Sequence, residues 1–525
     1  MARITIEDLN ENSFSVFPSL YSVRFNRAAC LPRNNLESPN LQSAFFTALK
    51  KLSNDQYCEA AEIFKNILTI IPNHLPSLHN LGKALFTLGD IESAVNLLWR
   101  TALFDVSGLS LSALAAIIPG HPRAGDTEIL HIRKAWGHFI TEKIKPYPRK
   151  HKSHPRTDRK LRIGYVSSFF NKENWMKPVW GLINNHDRSR YEIYLFADVP
   201  ESQFIGYQGH PSDTIITIYN CPLKEAADII LRRRIDILVD LNGYSAVNRL
   251  PLYLYKPAPL ILGWFNMFGT SGLDCFDYLI ADEYVVSRSE EVHYVEKIFK
   301  VDGSYLTFTV GYPVPPVTEP PCISNGYITF GSLAPLYKII DGVVDAWSQI
   351  LHRVPSSRLL IKNAQLSSFA NQNYLLQKFL LRKISPDRLI FSGPSKHYDF
   401  LEAYMHVDIA LDTFPYNGGT TTSEALWQGV PVIAFPGNRW VSRTSTSILK
   451  AARMDECIAA DMADYIEKAV VFATRSNYSK KLRELRMNMR ENLRKSIIND
   501  CSNFARNMEK IYDQIWLNHI FNFKQ

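Results

Sequence analysis

The chain has 525 residues, 46% of them hydrophobic and 21% charged. That is an ordinary globular balance with room for about three or four domain-sized units. Its formal charge of +8 is modest at this length, and its seven cysteines are odd in number and scattered, with no C-x-x-C pair. These features argue against a disulfide framework and a zinc site and fit a reducing compartment. The first residues, MARITIEDLNENSF, contain no apolar signal core, and no run of about eighteen apolar residues occurs to span a membrane. A cytoplasmic location is the expectation.

In chain order, residues 1–40 read as irregular. Residues 41–106 carry a weak internal repeat of about 34 residues. Leu78, Leu81, Gly82, Leu85, Gly89, Ala94 and Leu98 fall at tetratricopeptide positions, with Ala60, Phe64 and Pro72 marking an earlier copy. Small residues let paired helices approach and large ones fill the groove between them. About two copies are too few to stand alone, so they pack on neighbours. Such helices either bind a peptide or adaptor partner or cap the next domain. Residues 107–158 read as helix followed by a basic linker. The run 143–162 (KIKPYPRKHKSHPRTDRKLR) is strongly basic with three prolines. Without an aromatic stacking platform or nucleic-acid motif beside it, it reads as exposed linker, and no nucleic-acid partner is expected.

The segment 159–311 alternates short apolar strands (161–166, 191–197, 235–241, 260–264) with helical stretches such as 223–233. A Pro-rich hinge at 312–325 follows. Residues 326–475 repeat the scheme, with strands at 328–331, 358–362, 388–392, 407–411 and 431–435, and helices at 342–352, 374–383, 399–406 and 421–428. Residues 476–525 read as charged helices crossing back over the first half. Alternation of this kind predicts parallel sheets covered on both faces, a pair of doubly wound α/β lobes preceded by a helical segment.

The most informative stretch is 412–429, DTFPYNGGTTTSEALWQG. A strand runs into Gly418 and Gly419, which permit close backbone approach to a ligand. Thr420, Thr421 and Thr422 follow at the positive end of a helix dipole, where a phosphate is held. Glu424, one turn further in, reaches a ribose diol. Ligands of doubly wound sheets sit outside the carboxyl ends of the strands. That rule gathers three loops here: one bearing Lys338, one bearing Ser395 and His397, and the glycine–threonine segment. A lysine opposite the helix start neutralises a leaving diphosphate. There is no Walker motif, no G-x-G-x-x-G, no H-E-x-x-H and no D-x-D. Cationic and helix-dipole stabilisation without a metal is therefore expected, and no cofactor.

Several long motifs in fixed order resemble the O-GlcNAc transferase/SPINDLY family of metal-independent glycosyltransferases with the two-domain GT-B fold. They are RIGYVSS (162–168), DILVDLNGY (236–244), KPAPLILGWFNMFGTSGLDCFDYLIAD (256–282), ITFGSLAPLYKI (328–339), VDIALDTFPYNGGTTTSEALWQGVPV (407–432) and NRWVSR (438–443). The resemblance covers 41–520. It implies that Lys338 meets the donor diphosphate, that Thr420 and Thr421 bind phosphate, that Glu424 holds the ribose, and that Ser395 and His397 contact uracil. It places Gly269, Thr270, Ser271 and Gly272 near sugar and acceptor, alongside Asn242 and Gly243. The implied reaction is inverting transfer of N-acetylglucosamine from UDP-GlcNAc to Ser or Thr of a protein.

The chain departs from the family pattern at four places. Glu173, within 169–177, stands where a histidine is common and is a candidate general base when buried. Ile237 and Phe400 replace histidines, and Pro335 replaces an amide residue. Transfer of another sugar, such as fucose from GDP-fucose, transfer to a non-protein acceptor, and a donor-binding homologue without catalysis are the alternatives.

Overall fold

The computed structural model describes residues 36, 38–147, 159–200, 203–474 and 478–522. Most of the segment expected to be irregular, 1–40, and the centre of the basic run lie outside these residues, although a helix already begins at Pro39. The chain forms two compact units that do not follow chain order. One comprises 1–136, 315–445 and 456–489, and the other 137–314, 446–455 and 490–525.

The first unit begins with helices Pro39–Ser53, Tyr57–Ile70, Leu75–Thr87 and Ile91–Ala102. Ala48, Ala60, Ala61, Phe64, Ile67, Ala84 and Ala94 are buried between them. Small residues set the spacing: a Cβ on Gly82 would lie 3.0 Å from Leu98 Cγ, so the repeat's glycine marks where two helices come closest. Full burial of a side chain such as Phe64 contributes about 1.5–3 kcal/mol. The Asp90 carboxylate caps the fourth helix by accepting from Ser93 N at 3.2 Å. Two further helices, Leu109–Ile117 and Asp126–Thr141, follow within the stretch read as helix and linker.

The same unit holds a parallel sheet of β8 (Thr329–Ser332), β9 (Arg358–Lys362), β10 (Leu389–Ser392), β11 (Ile409–Leu411) and β12 (Val432–Ile433), in the order β10-β9-β8-β11-β12. The chain starts in the middle, winds one way, then crosses back, so β8 and β11 are neighbours, with Gly331 opposite Ala410. Arg486 fastens the helix Tyr478–Arg494 to this sheet by donating to the carbonyls of Val407, Tyr404 and Thr318 at 2.7–2.9 Å.

The second unit is built on a seven-stranded parallel sheet. Its strands are β1 (Leu161–Ser167), β2 (Tyr191–Ala197), β3 (Thr214–Thr217), β4 (Ile237–Asp240), β5 (Leu260–Gly263), β6 (Tyr278–Ala281) and β7 (Lys297–Lys300), in the order β3-β2-β1-β4-β5-β6-β7. Strands β3, β6 and β7 carry no signal that singles them out. Each has only four residues, and β3 and β7 are edges, where polar residues protect an unpaired ladder. The final helix, Cys501–Asn522, lies on this unit. Its Glu509 accepts from His186 Nδ1 at 2.9 Å, and Tyr512 meets the Tyr165 hydroxyl at 3.0 Å. No helix among the described residues is long and apolar enough to cross a membrane.

Candidate donor site

In a doubly wound sheet the crevice opens where adjacent strands send their following loops in opposite directions. In the first unit that point lies between β8 and β11. The loop after β8 passes through Pro335 into a short 3-10 turn, Leu336–Lys338, whose lysine is buried. Lys338 Nζ donates to the Asn417 carbonyl at 2.6 Å and stands 4.2 Å from the Tyr416 ring centroid. Burial pushes its pKa down to about 8, against the opposing pull of the Asp412 charge.

Asp412 governs the loop after β11. Its Oδ1 accepts from Gly418 N at 2.7 Å and Thr413 N at 2.9 Å, and its carbonyl accepts from the Tyr465 hydroxyl at 2.9 Å. Asn417 N is held by Val441 O at 3.1 Å, within the 438–443 motif. Burial raises the Asp412 carboxyl to about 6, and the hydrogen bonds it accepts act against that rise. A Cβ on Gly418 would come 3.1 Å from Asp412 Oδ1 and press on the hydroxyls of Thr421 and Thr422, so the turn closes only on glycine.

The helix Thr420–Trp427 starts at Gly419, which has no side chain to cap it. Its opening N–H groups therefore carry the positive end of the dipole into the crevice. Thr420 and Thr421 are partly exposed there. Thr422 differs, because it is buried and its hydroxyl meets Ser445 Oγ at 2.8 Å.

Glu424 is buried on the same helix, and His397 Nε2 approaches its Oε1 at 3.6 Å. His397 opens the helix His397–Glu402 after β10 and stacks on Phe400 at 6.3 Å between ring centroids. Ser395 is exposed in the preceding loop. The fold thus gathers Lys338, Gly418, Gly419, Thr420, Thr421, Glu424 and His397 around one crevice. Three contributors went unremarked in the sequence. Lys362 ends β9 and ties the β10 loop down through Ser392 Oγ and Gly393 O at 3.1 and 3.0 Å. Tyr404 donates its hydroxyl to Thr421 O at 3.0 Å. Asp412 stands at the head of the motif, but its role depends on burial that no local pattern shows.

The residues expected near sugar and acceptor lie in the second unit, Asn242 and Gly243 on the loop after β4 at its switch point with β1, and Gly269 to Gly272 on the segment after the neighbouring β5. Asn242 Oδ1 accepts from Ser168 N at 2.7 Å. Asp240, wholly buried at the end of β4, accepts from Asn242 N, Gly243 N and the Tyr253 hydroxyl at 2.7–3.0 Å. Burial raises its carboxyl to about 6. Each unit therefore sets a buried aspartate behind the loop that leaves its fourth strand. Gly243 takes φ +47° against the Asn266 carbonyl. Asn266 (φ 65°), Phe268 (φ 51°), Gly269 (φ 136°) and Gly272 (φ 67°) form a left-handed stretch, the kind of backbone strain that concentrates at functional loops. Thr270 Oγ1 and Ser271 N both donate to the buried Glu296 carboxylate at 2.8 and 2.7 Å. These groups hold the loop in place. Glu173 begins the helix Glu173–Asn184, but its side chain lies outside the described residues. Among the described residues no group of three or more His, Cys, Asp or Glu is placed to hold a metal ion.

Two doubly wound units, one with a buried ammonium on the loop that leads into a glycine–threonine helix start, have the architecture of a GT-B-type glycosyltransferase. The chain belongs to glycosyl transferase family 41, whose family model matches residues 132–311 and 322–508. It is 30% identical over 397 residues to the probable UDP-N-acetylglucosamine–peptide N-acetylglucosaminyltransferase SPINDLY of Solanum lycopersicum, covering 74% of this chain and 42% of that one. The SPINDLY protein of Hordeum vulgare is 33% identical over 369 residues, 68% of this chain and 38% of that one. The chain thus spans about two fifths of the length of these relatives. Among solved structures, a lysine-to-methionine mutant of the Thermobaculum terrenum O-GlcNAc transferase superposes with a TM-score of 0.83 at 25% identity, covering 92% of both chains.

Proposed function

We propose that the protein transfers N-acetylglucosamine from UDP-GlcNAc to Ser or Thr hydroxyls of protein acceptors, inverting the anomeric centre without a metal. The observation that carries this reading is the placement of Lys338 against the loop that ends in the Thr420 helix start. A buried cation and a bare dipole end suit a diphosphate that gains charge as it leaves. In the reaction the acceptor oxygen bonds to the anomeric carbon as the bond from that carbon to the diphosphate oxygen breaks. The acceptor proton passes to a base, for which Glu173 is the candidate, and the new charge on the diphosphate is met by Lys338 and the N–H groups of Thr420 and Thr421. Glu424, with His397 beside it, accepts from the ribose hydroxyls, and the loop of Ser395 borders the base. Asn242, Gly243 and the 269–272 loop provide the sugar and acceptor side. The activity for which the SPINDLY relatives are named supports the choice of donor and acceptor class.

A second reading keeps the chemistry and changes the sugar nucleotide, as with GDP-fucose. Phe400 and Pro335 motivate it, because they stand where the family commonly has side chains that hydrogen-bond near the base and the diphosphate, and neither can do so. Incubating the purified protein and an acceptor peptide with a panel of nucleotide sugars decides between them. Release of UDP from UDP-GlcNAc with glycosylated peptide supports the first reading. Release of GDP alone overturns it for the second, and nucleotide binding without turnover overturns both in favour of a non-catalytic binder.

A further inference from the structure

The turn that carries Lys338 is gripped from two sides. On one side stands the phosphate loop, through Asn417 and Tyr416. On the other stand the tetratricopeptide helices. Phe86, at the end of helix Leu75–Thr87, stacks on Tyr337 with 4.9 Å between centroids and 23° between planes. Three residues after Phe86, Gly89 adopts φ +81° and lays its backbone on the same turn. A Cβ there would sit 2.7 Å from Ile339 O and 3.2 Å from Leu336 O. Tyr337 in turn meets Tyr416 edge-on at 5.7 Å. A continuous row of rings, Phe86, Tyr337 and Tyr416, thus ends at the ammonium of Lys338.

We propose that the helical repeat is a working part of the donor site, with Phe86 and Gly89 as positioning residues that fix the Lys338 turn and shield its ammonium from water. The inference rests on the reading of Lys338 as the ligand of the donor diphosphate. The task it gives these helices is to brace a turn, which needs one helix end rather than a long superhelical groove. Gly89 serves it through its left-handed backbone, since any side chain would push the turn away.

A brace and plain packing differ in what they do to the lysine. If Phe86 only joins helices to the sheet, its loss lowers thermal stability and leaves Lys338 as it was. If it shields Lys338, its loss admits water, which favours the charged form and moves the ammonium's titration to higher pH. The groups facing Lys338 are Asp412 and the Asn417 carbonyl from the loop after β11, with the phenols of Tyr337 and Tyr416. Glu424, His397 and Tyr404 border the same loop. All of these are unchanged in Phe86 variants, so a displaced alkaline limb reports the hydration of Lys338.

The test is calorimetric binding of uridine diphosphate, with guanosine diphosphate in parallel, by the full chain from pH 6 to pH 10. Wild type, Phe86→Leu, Phe86→Ala and Phe86→Tyr are compared, with thermal melting of each. Phe86→Leu keeps an apolar side chain and guards against simple unfolding of the alanine variant. The expected result is about tenfold weaker binding at pH 7 for Phe86→Leu, as a misplaced contact gives. Its alkaline limb moves up by about one pH unit, and Phe86→Tyr restores both. Unchanged affinity and an unmoved limb in a folded Phe86→Leu overturn the brace while leaving the donor site standing. Failure of the wild type to bind either nucleotide overturns the donor-site reading, and the brace with it.

Discussion

Lys338 Nζ donates to the carbonyl of Asn417 across 2.6 Å, joining the loops that leave two adjacent parallel strands. This bond fixes the lysine beside the turn from which the Thr420 helix departs. It also spends one ammonium proton on the protein, leaving the others for a ligand.

Removing that ammonium strikes the step in which charge develops. Lys338→Ala should reduce kcat/KM by roughly 2–4 kcal/mol, the cost of losing one donor to a developing anion. Release of nucleoside diphosphate from the preferred sugar nucleotide measures it. Normal turnover by the variant would remove Lys338 from the mechanism.

The depressed pKa of Lys338, about 8, gives binding and stability opposite pH dependences. A diphosphate needs the ammonium charged, so donor affinity is present below about pH 8 and fades as pH rises through it. Folding, by contrast, disfavours the charged form, because the folded pKa lies below the ordinary lysine value. That penalty is felt below the folded pKa and is relieved as pH rises from about 8 towards the ordinary value. Titration calorimetry at pH 7 and pH 9 should show weaker binding at the higher pH, and a Lys338→Arg variant, charged throughout, should lose that dependence.

Asp412 separates charge from geometry. Asp412→Asn keeps an oxygen to accept from Gly418 N and Thr413 N but removes the negative charge that helps keep Lys338 protonated. The alkaline loss of donor binding should therefore move to lower pH, opposite to the shift expected for Phe86→Leu. The stability sign also follows. The folded pKa of Asp412 is raised to about 6, so its contribution is fully present below the unfolded value and is lost as pH rises through 6. An alkaline limb that stays put in this variant would show that Asp412 does not act on Lys338.

Glu424 should be read out through the sugar of the nucleotide. Glu424→Ala is expected to weaken nucleoside diphosphate binding by about 1.5–3 kcal/mol, the worth of hydrogen bonds to a charged acceptor. Wild type and variant should bind a 2′,3′-dideoxy nucleoside diphosphate alike. Equal losses for both ligands would mean that the carboxylate serves the fold rather than the ribose.

The sequence alone carried much of the first unit's sheet and the place of its glycine–threonine turn. Apolar strands, glycine pairs and helix starts are local, and they leave a local pattern. The helix pairs around Phe64 and Leu98 were visible for the same reason, since their spacing repeats. Strands β3, β6 and β7 were not: β3 and β7 each offer only two apolar residues (Ile215 and Ile216, Ile298 and Phe299) between polar ones at a sheet edge, which makes neither an apolar run nor a period. The roles of Asp412, Asp240 and Glu296 were hidden because a carboxylate's pKa depends on burial, which neighbours distant in the chain supply. Only the tertiary structure decided that the helical repeat joins the lobe bearing Lys338 rather than the lobe next in sequence. Phe86 and Tyr337 lie about 250 residues apart, and their stacking is a surface match between separate elements. The reason is physical: the chain fixes which backbone conformations are cheap, while the environment of each ionisable group is set by what folds against it.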